Sequence, residues 1–303
     1  MGKIKALTIA LLAVCVAGAS SAQPQSAPEV RSPGQTQQDP FGGRFGVMEL
    51  APPPGEAAQL ARLMGDALRA LTPQRPGEAD VYLVVASMWN DPVFEREASQ
   101  AEAILRQHLG AEGRSIMLSA GGQGARRYPA ATPNNLAAAL GRVGQLIDAE
   151  EDLVVVFITS HGGTDGTVAM HEANRMLAGL RPIHLRDNLA QAGIRNRVVI
   201  VSACYSGAFI APLMDERTIV LTAAAPDRSS FGCQPERDWT FFGDAYFNQS
   251  VRAGADLLPA FDQAKVLIER WERERNLTPP SNPQRYVGPR AAALLAQIER
   301  DAR

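Results

Sequence analysis

The sequence predicts an α/β fold in which a mostly parallel central sheet lies between helices on both faces. Short apolar runs alternate along the chain with segments that carry apolar residues at helical spacing, which is the pattern of repeated strand–helix units. The runs are apolar at nearly every position, as expected of strands that are buried on both faces. Hydrophobic residues make up 46% of the 303 residues and charged residues 20%, so the chain can form a packed core.

Five apolar runs are interpreted as the strands of this sheet. They cover residues 81–85, 116–118, 153–159, 198–201 and 219–221. The helices predicted between and after them lie near residues 95–109, 132–147, 185–193 and 261–271. Thr132 and Pro133 are typical of a helix N-cap and first turn, and Gly110 and Gly193 are typical helix stops.

The first residues predict an export signal. Lys3 and Lys5 precede an apolar run over 6–18, and small residues at 20–22 offer a cleavage site. We therefore expect a signal peptide over 1–22 and a protein that is exported, either to the periplasm or to the medium. The alternatives are an uncleaved N-terminal anchor and a lipoprotein lipidated on Cys15. No later run is long and apolar enough to predict a membrane span.

Two regions are predicted to follow the signal. Residues 23–78 form a leader rich in Pro and Gln with one short amphipathic helix, on which Leu60, Met64 and Leu68 share a face. Residues 79–303 form a single domain that contains the predicted sheet.

Charge and cysteine content exclude several classes of protein. The net charge of −2 gives no basic excess for binding nucleic acid. Three cysteines exclude a disulfide-dense small fold and a zinc site made of four thiolates. The chain also lacks a Gly-rich fingerprint for phosphate binding.

Two predicted strands end in residues that carry chemistry. The run over 153–159 leads into His161 and Gly162, and the run over 198–201 leads into Cys204. Binding sites of open parallel sheets form beyond the carboxyl ends of the strands, and neighbouring strands lie about 4.8 Å apart. If these two strands are neighbours, the imidazole and the thiol come within reach of one another. A thiolate is a nucleophile, an imidazole can take its proton, and backbone N–H groups beside glycines can stabilise an oxyanion.

Other interpretations of these residues are weaker. His161 alone fits a histidine hydrogen-bonded in a turn, and Cys204 alone fits an inert buried thiol. A metal site of His161, His171 and Asp165 has no supporting ligand spacing, and His171 is expected in a polar loop. Ser206 does not complete the G-x-S-x-G motif of serine hydrolases.

These residues resemble the legumain-type (asparaginyl endopeptidase) cysteine peptidases of the caspase-like clan, and most closely their bacterial, secreted members. The resemblance extends over roughly residues 81–288. It is carried by five motifs in order: Ser160-His161-Gly162, Ser202-Ala203-Cys204, Leu221-Thr222-Ala223-Ala224, Ser229-Ser230-Phe231-Gly232-Cys233 and Thr240-Phe241-Phe242-Gly243-Asp244.

The resemblance implies a caspase-like three-layer fold and hydrolysis of peptide bonds in a polypeptide substrate. His161 would be the general base and acid, and Cys204 the nucleophile that forms a thioester. The backbone N–H groups of Gly162 and Cys204 would form the oxyanion hole. No metal or cofactor is implied.

The resemblance also implies a first specificity pocket. Ser229, Ser230 and Asp244 match positions that line it, and Asn90 is the counterpart of an asparagine near the catalytic histidine. Legumains carry acidic residues two before and directly after the cysteine, where this chain has Ser202 and Tyr205. We therefore expect a polar or basic P1 residue, with less strict choice of asparagine.

Two other functions stay open on the sequence. A transamidase would use the same thioester with an amine as the acceptor, and an inactive binding protein would keep only the fold. Retention of both His161 and Cys204 argues against the inactive protein. The sequence does not predict an oligomeric state.

Overall fold

The structure is a computed structural model that describes residues 48–49, 51–121, 126–172 and 175–303. The described residues belong to one compact unit. The predicted signal peptide over 1–22 and the leader up to residue 47 lie outside the described residues, as does Cys15. No helix among the described residues is long and apolar enough to cross a membrane.

The described residues form nine strands and eight α-helices. The strands are β1 (Met48–Glu49), β2 (Val81–Ser87), β3 (Ser115–Ser119), β4 (Leu153–Thr159), β5 (Val168–Glu172), β6 (Met176–Leu180), β7 (Arg197–Ser202), β8 (Thr218–Thr222) and β9 (Gln284–Val287). The helices are α1 (Pro54–Ala70), α2 (Pro92–His108), α3 (Pro133–Leu146), α4 (Pro182–Gln191), α5 (Ile210–Leu213), α6 (Phe241–Gly243), α7 (Leu257–Glu274) and α8 (Pro289–Asp301). A 3₁₀-helix covers Ser206–Phe209, and a π-helix covers Asp244–Val251.

Six strands form the central sheet in the order β3-β2-β4-β7-β8-β9. The first five are parallel, and β9 pairs with β8 in the antiparallel sense. The five predicted strands are therefore confirmed. Every residue of β2, β4, β7 and β8 is buried, in agreement with their continuous apolar sequences.

Helices cover both faces of this sheet, so the predicted three-layer α/β fold is confirmed. On one face, buried side chains of the sheet pack with α2, α7, α8 and the π-helix. On the other face they pack with α1, α3, α4 and α5. Alternate residues of each strand serve the two faces.

The predicted helix starts are confirmed at α3. The Thr132 hydroxyl accepts a hydrogen bond from the Asn135 backbone N–H at 3.1 Å, and Pro133 occupies the first turn. The short helix predicted in the leader is α1, and it packs on the domain through Met64. Arg142 of α3 also donates to the Leu68 carbonyl at 3.3 Å.

A second, small sheet was not predicted. β5 and β6 form an antiparallel hairpin, and β1 pairs with β6 to give the order β1-β6-β5. His171 lies on β5, so its expected position in a polar loop is wrong. Buried and half-buried residues alternate along β5, so only one of its faces packs against the domain.

Candidate active site

Strand register places His161 and Cys204 side by side. β4 and β7 are adjacent and parallel, and their last residues, Thr159 and Ser202, are register partners. The ladder continues one bond further, because the Ser160 N–H donates to the Ser202 carbonyl at 3.1 Å. His161 lies two residues after Thr159, and Cys204 lies two residues after Ser202, so both leave the sheet at one level and on one side.

Gly162 brings the two strand ends into direct backbone contact. A methyl group added at Gly162 would collide with the Cys204 carbonyl oxygen and lie 2.9 Å from its carbonyl carbon. Gly162 also lies opposite Val168 of β5. On either side of this pair, the Ala169 N–H donates to the His161 carbonyl and the Gly163 N–H donates to the Thr167 carbonyl. Gly162 and Val168 are thus a non-hydrogen-bonded pair of the antiparallel ladder, so the Gly162 N–H points away from the hairpin. This N–H is available to an oxyanion.

The His161 ring is held by a carboxylate and two aromatic rings. Nε2 of His161 lies 3.2 Å from Oδ2 of Asp91, and both side chains are about one-third exposed. The Trp89 and Phe94 rings meet the imidazole edge to face at centroid distances of 5.1 and 4.9 Å. These contacts fix the ring plane.

The Asp91 contact also determines which ring nitrogen can act as a base. A carboxylate only accepts hydrogen bonds, so the nitrogen that faces it, Nε2, carries the hydrogen. Nδ1 of His161 is then the nitrogen that can take a proton.

Asp91 was missed by the sequence analysis, which assigned the neighbouring Asn90 to this environment. The Asn90 amide oxygen instead lies 2.8 Å from Nδ1 of His171 on β5. Asp91 is the N-cap residue of α2, yet its side chain makes no cap hydrogen bond and is left for His161. An Asp-Pro pair at the start of the predicted helix, six residues after the end of a predicted strand, was the available signal.

Cys204 is half-buried and contacts the segment after β8. The Ser230 backbone N–H donates to Sγ of Cys204 at 3.3 Å, and the Ser230 hydroxyl lies 3.6 Å from it. The backbone N–H can stabilise a negatively charged sulfur, and the neutral thiol can donate to the Ser230 carbonyl oxygen, which lies 3.6 Å from Sγ. The next residue, Tyr205, has a φ of +58°, which is uncommon for a residue other than glycine and typical of strained functional turns.

Both described cysteines are free thiols. Burial raises the pKa of the Cys233 thiol, and the nearby Cys204 raises it further. Cys233 is therefore a poor candidate for the nucleophile, because the thiolate is the reactive form.

The residues assigned to the specificity pocket are only partly together. The Ser229 hydroxyl donates to the Tyr205 hydroxyl at 3.4 Å, so Ser229 and Ser230 both adjoin the Cys204 turn. Asp244 lies on the π-helix, where Oδ1 accepts from Asn248 at 2.8 Å. No described contact joins Asp244 to Cys204, and its pocket role stays a prediction.

The chain is similar to one known protein family and to solved structures of cysteine proteases. Residues 126–287 match the model of the peptidase C13 family. A search of curated proteins finds no match. Among solved structures, a caspase-1 from Spodoptera frugiperda aligns with 72% of this chain and 89% of its own length, at 9% identity and a TM-score of 0.48. A secreted C11 cysteine protease from Bacteroides thetaiotaomicron, iotapain, aligns with 63% of this chain and 62% of its own, at 11% identity and a TM-score of 0.38.

The family match covers more than half of the chain and includes both strand ends of the candidate site. The chain therefore belongs to the peptidase C13 family and is a cysteine endopeptidase that acts on polypeptide substrates.

Proposed function

We propose that Cys204 and His161 are the catalytic dyad of this endopeptidase, with Asp91 orienting the histidine. The observation that carries the proposal is the register of β4 and β7, which brings both residues off one edge of the sheet. The contact of Gly162 with the Cys204 backbone supports it, because it holds the two strand ends together.

In the first half of the reaction, Nδ1 of His161 takes the thiol proton and Sγ of Cys204 attacks the scissile carbonyl carbon. The N–H groups of Gly162 and Cys204 stabilise the oxyanion that forms. The C–N bond then breaks, and His161 gives its proton to the leaving amine. A thioester on Cys204 is left.

In the second half, water attacks the thioester while His161 takes a proton from that water. The C–S bond breaks, the acid leaves, and the proton returns to the sulfur of Cys204. The Asp91 carboxylate stabilises the imidazolium that exists between the proton transfers. The cycle needs no cofactor.

The proposed first specificity pocket contains Ser229 and Ser230, because both adjoin the Cys204 turn. Asp244 and Asn90 are included in the proposed pocket on the family resemblance alone, since their described hydrogen bonds join them to Asn248 and His171.

We also propose that the protein is an exported, bacterial-type member of its family. The support is the charged start, apolar run and small residues before Gln23. The intact mass of the exported protein tests cleavage before Gln23, which a lipid on Cys15 or a retained N-terminus would contradict.

Substitution of the dyad tests the proposed mechanism. Cys204→Ala and His161→Ala should each lower kcat/KM by at least about 1,000-fold, with the thermal midpoint unchanged. Because the two residues act as a unit, the double variant should be little worse than either one. Cys233→Ala is the matched control and should keep most of the activity. An inactive Cys233→Ala with an active Cys204→Ala would assign the nucleophile to the other thiol.

A further inference from the structure

A fully buried carboxyl group lies beneath the dyad. Glu97 of α2 has 0% of its surface exposed. Its Oε2 accepts a hydrogen bond from the Thr240 backbone N–H at 2.7 Å. Thr240 in turn caps α6, because its hydroxyl accepts from the Gly243 N–H at 3.0 Å. Glu97 therefore joins α2 to the turn at Thr240.

The same turn is joined to the strand ends that carry the dyad. The Ser202 and Thr240 hydroxyls lie 3.1 Å apart, and both are buried. Ser202 and its register partner Thr159 each precede a dyad residue by two positions. Side chains two residues apart point to the same side of a strand. The Thr159 and Ser202 hydroxyls therefore form the layer directly below His161 and Cys204.

Two buried atoms of this layer lack hydrogen bonds of good geometry within the described residues. They are Oε1 of Glu97 and Oγ1 of Thr159. Thr159 is the register partner of Ser202, whose hydroxyl contacts the Thr240 turn that holds the carboxyl. An unpaired buried polar atom costs about 1–3 kcal/mol, so a hydrogen bond between these two atoms would remove both costs.

The carboxyl is suited to donate that bond. Burial raises the pKa of Glu97, and the hydrogen bond from the Thr240 backbone N–H opposes the rise. A carboxyl that keeps its proton can donate through one oxygen while it accepts through the other. Oε2 already accepts from Thr240, which leaves Oε1 to donate to Thr159.

The turn also leaves space for this carboxyl. A methyl group added at Gly243 would lie 2.5 Å from Oε2 of Glu97 and 2.6 Å from its carboxyl carbon. Any side chain at Gly243 would displace the carboxyl from the Thr240 N–H.

We propose that Glu97 is a positioning residue, which ties the carboxyl ends of β4 and β7 to the Thr240 turn and so fixes the separation of His161 and Cys204. The inference rests on the proposed dyad. Glu97 does not touch the substrate and acts through Thr159 and Ser202.

Paired substitutions of Glu97 test the proposal. Glu97→Ala removes both hydrogen-bonding oxygens. It should lower kcat by about 100-fold, which is the effect of misplacing a catalytic group by about 1 Å. KM should stay within threefold of the value of the unchanged enzyme. Glu97→Gln has the shape and the donor–acceptor pattern of the protonated carboxyl, and it should restore kcat to within about fivefold. The rate of Cys204 alkylation by iodoacetamide, measured in a Cys233→Ala background, should fall and recover in parallel.

Glu299 of α8 supplies a matched control, next to His108, the last residue of α2. It is 6% exposed, its Oε1 accepts from the Leu257 backbone N–H at 2.7 Å, and it lies beside His108. Glu299→Ala therefore removes a comparable buried hydrogen bond and should lower the urea midpoint of unfolding. It should leave kcat within threefold.

Three results would overturn the inference. They are a kcat for Glu97→Ala within threefold of the unchanged enzyme, a loss for Glu97→Gln as large as that for Glu97→Ala, and an equal loss of kcat for Glu299→Ala. If Glu97→Ala does not fold, the nearly isosteric Thr159→Val replaces it, and an unchanged kcat there overturns the inference equally. Failure of the dyad itself is distinguishable, because Cys204→Ala would then stay active.

Discussion

Single residues determine the chemistry of this site, and the sequence predicted them unequally. His161 and Cys204 could be predicted because each directly follows an apolar strand. Asp91 could not, because its role depends on strand order. β4 lies between β2 and β7, so His161 leaves the sheet between Asp91, which follows β2, and Cys204, which follows β7. That order is a property of tertiary pairing.

Asp91→Ala should lower kcat by about 100-fold and leave KM nearly unchanged, because the imidazole loses its orienting partner. Asp91→Asn should retain more activity than Asp91→Ala, since an amide oxygen can still accept from Nε2 of His161. Steady-state kinetics with a peptide substrate measures both.

Asn90→Ala separates the structural assignment from the family resemblance. The structure joins Asn90 to His171 and not to His161, so this variant should lose less than tenfold in kcat. A larger loss for Asn90→Ala than for Asp91→Ala would favour the resemblance.

Elements of the sheet were predictable where burial on both faces made the sequence uniformly apolar. The β5–β6 hairpin was not, because its strands have five residues each and are only partly buried: alternate residues of β5, and the two end residues of β6. β9 has the polar sequence Gln-Arg-Tyr-Val, and its position comes from antiparallel pairing with β8. The apolar spacing of Ala291, Leu295 and Ile298 did indicate α8 and was overlooked.

The junction of the β4 and β7 ends predicts a strong effect of one methyl group. Gly162→Ala should lower kcat by about 100-fold and the free energy of unfolding by about 1–3 kcal/mol. The added Cβ meets the Cys204 backbone, which cannot move without separating the strand ends. Kinetics and urea unfolding measure the two effects.

Gly163→Ala is the matched control for this prediction. A Cβ there would lie 2.9 Å from Oδ1 of Asp165, an exposed side chain that can shift by giving up its hydrogen bonds to Thr167, so the loss of kcat should be smaller. Equal losses for Gly162→Ala and Gly163→Ala would contradict the backbone contact as the cause.

The whole molecule consists of one sheet with a separate apolar layer on each face. The proposed dyad and Glu97 lie toward the α2 face, where Phe94 of α2 contacts His161. Met64 of α1, and Leu71 directly after that helix, belong to the opposite layer. A segment that the sequence assigned to a leader thus supplies part of the core. Because Met64 packs in this layer, we expect α1 to unfold together with the sheet.

Met64→Ala tests this cooperativity. Met64 is 8% exposed, and truncation of a buried methionine costs about 2–5 kcal/mol, the lower end applying to a residue near a surface. The free energy of unfolding in urea should fall by about 2 kcal/mol in a single transition that fluorescence and circular dichroism report alike. Met214→Ala makes the same chemical change at a residue that is 54% exposed, so it should cost less than about 0.5 kcal/mol. If the two substitutions lower the free energy of unfolding equally, α1 unfolds separately from the domain. The reason is that truncation of a buried side chain destabilises the whole sheet only when its helix belongs to the same cooperative unit.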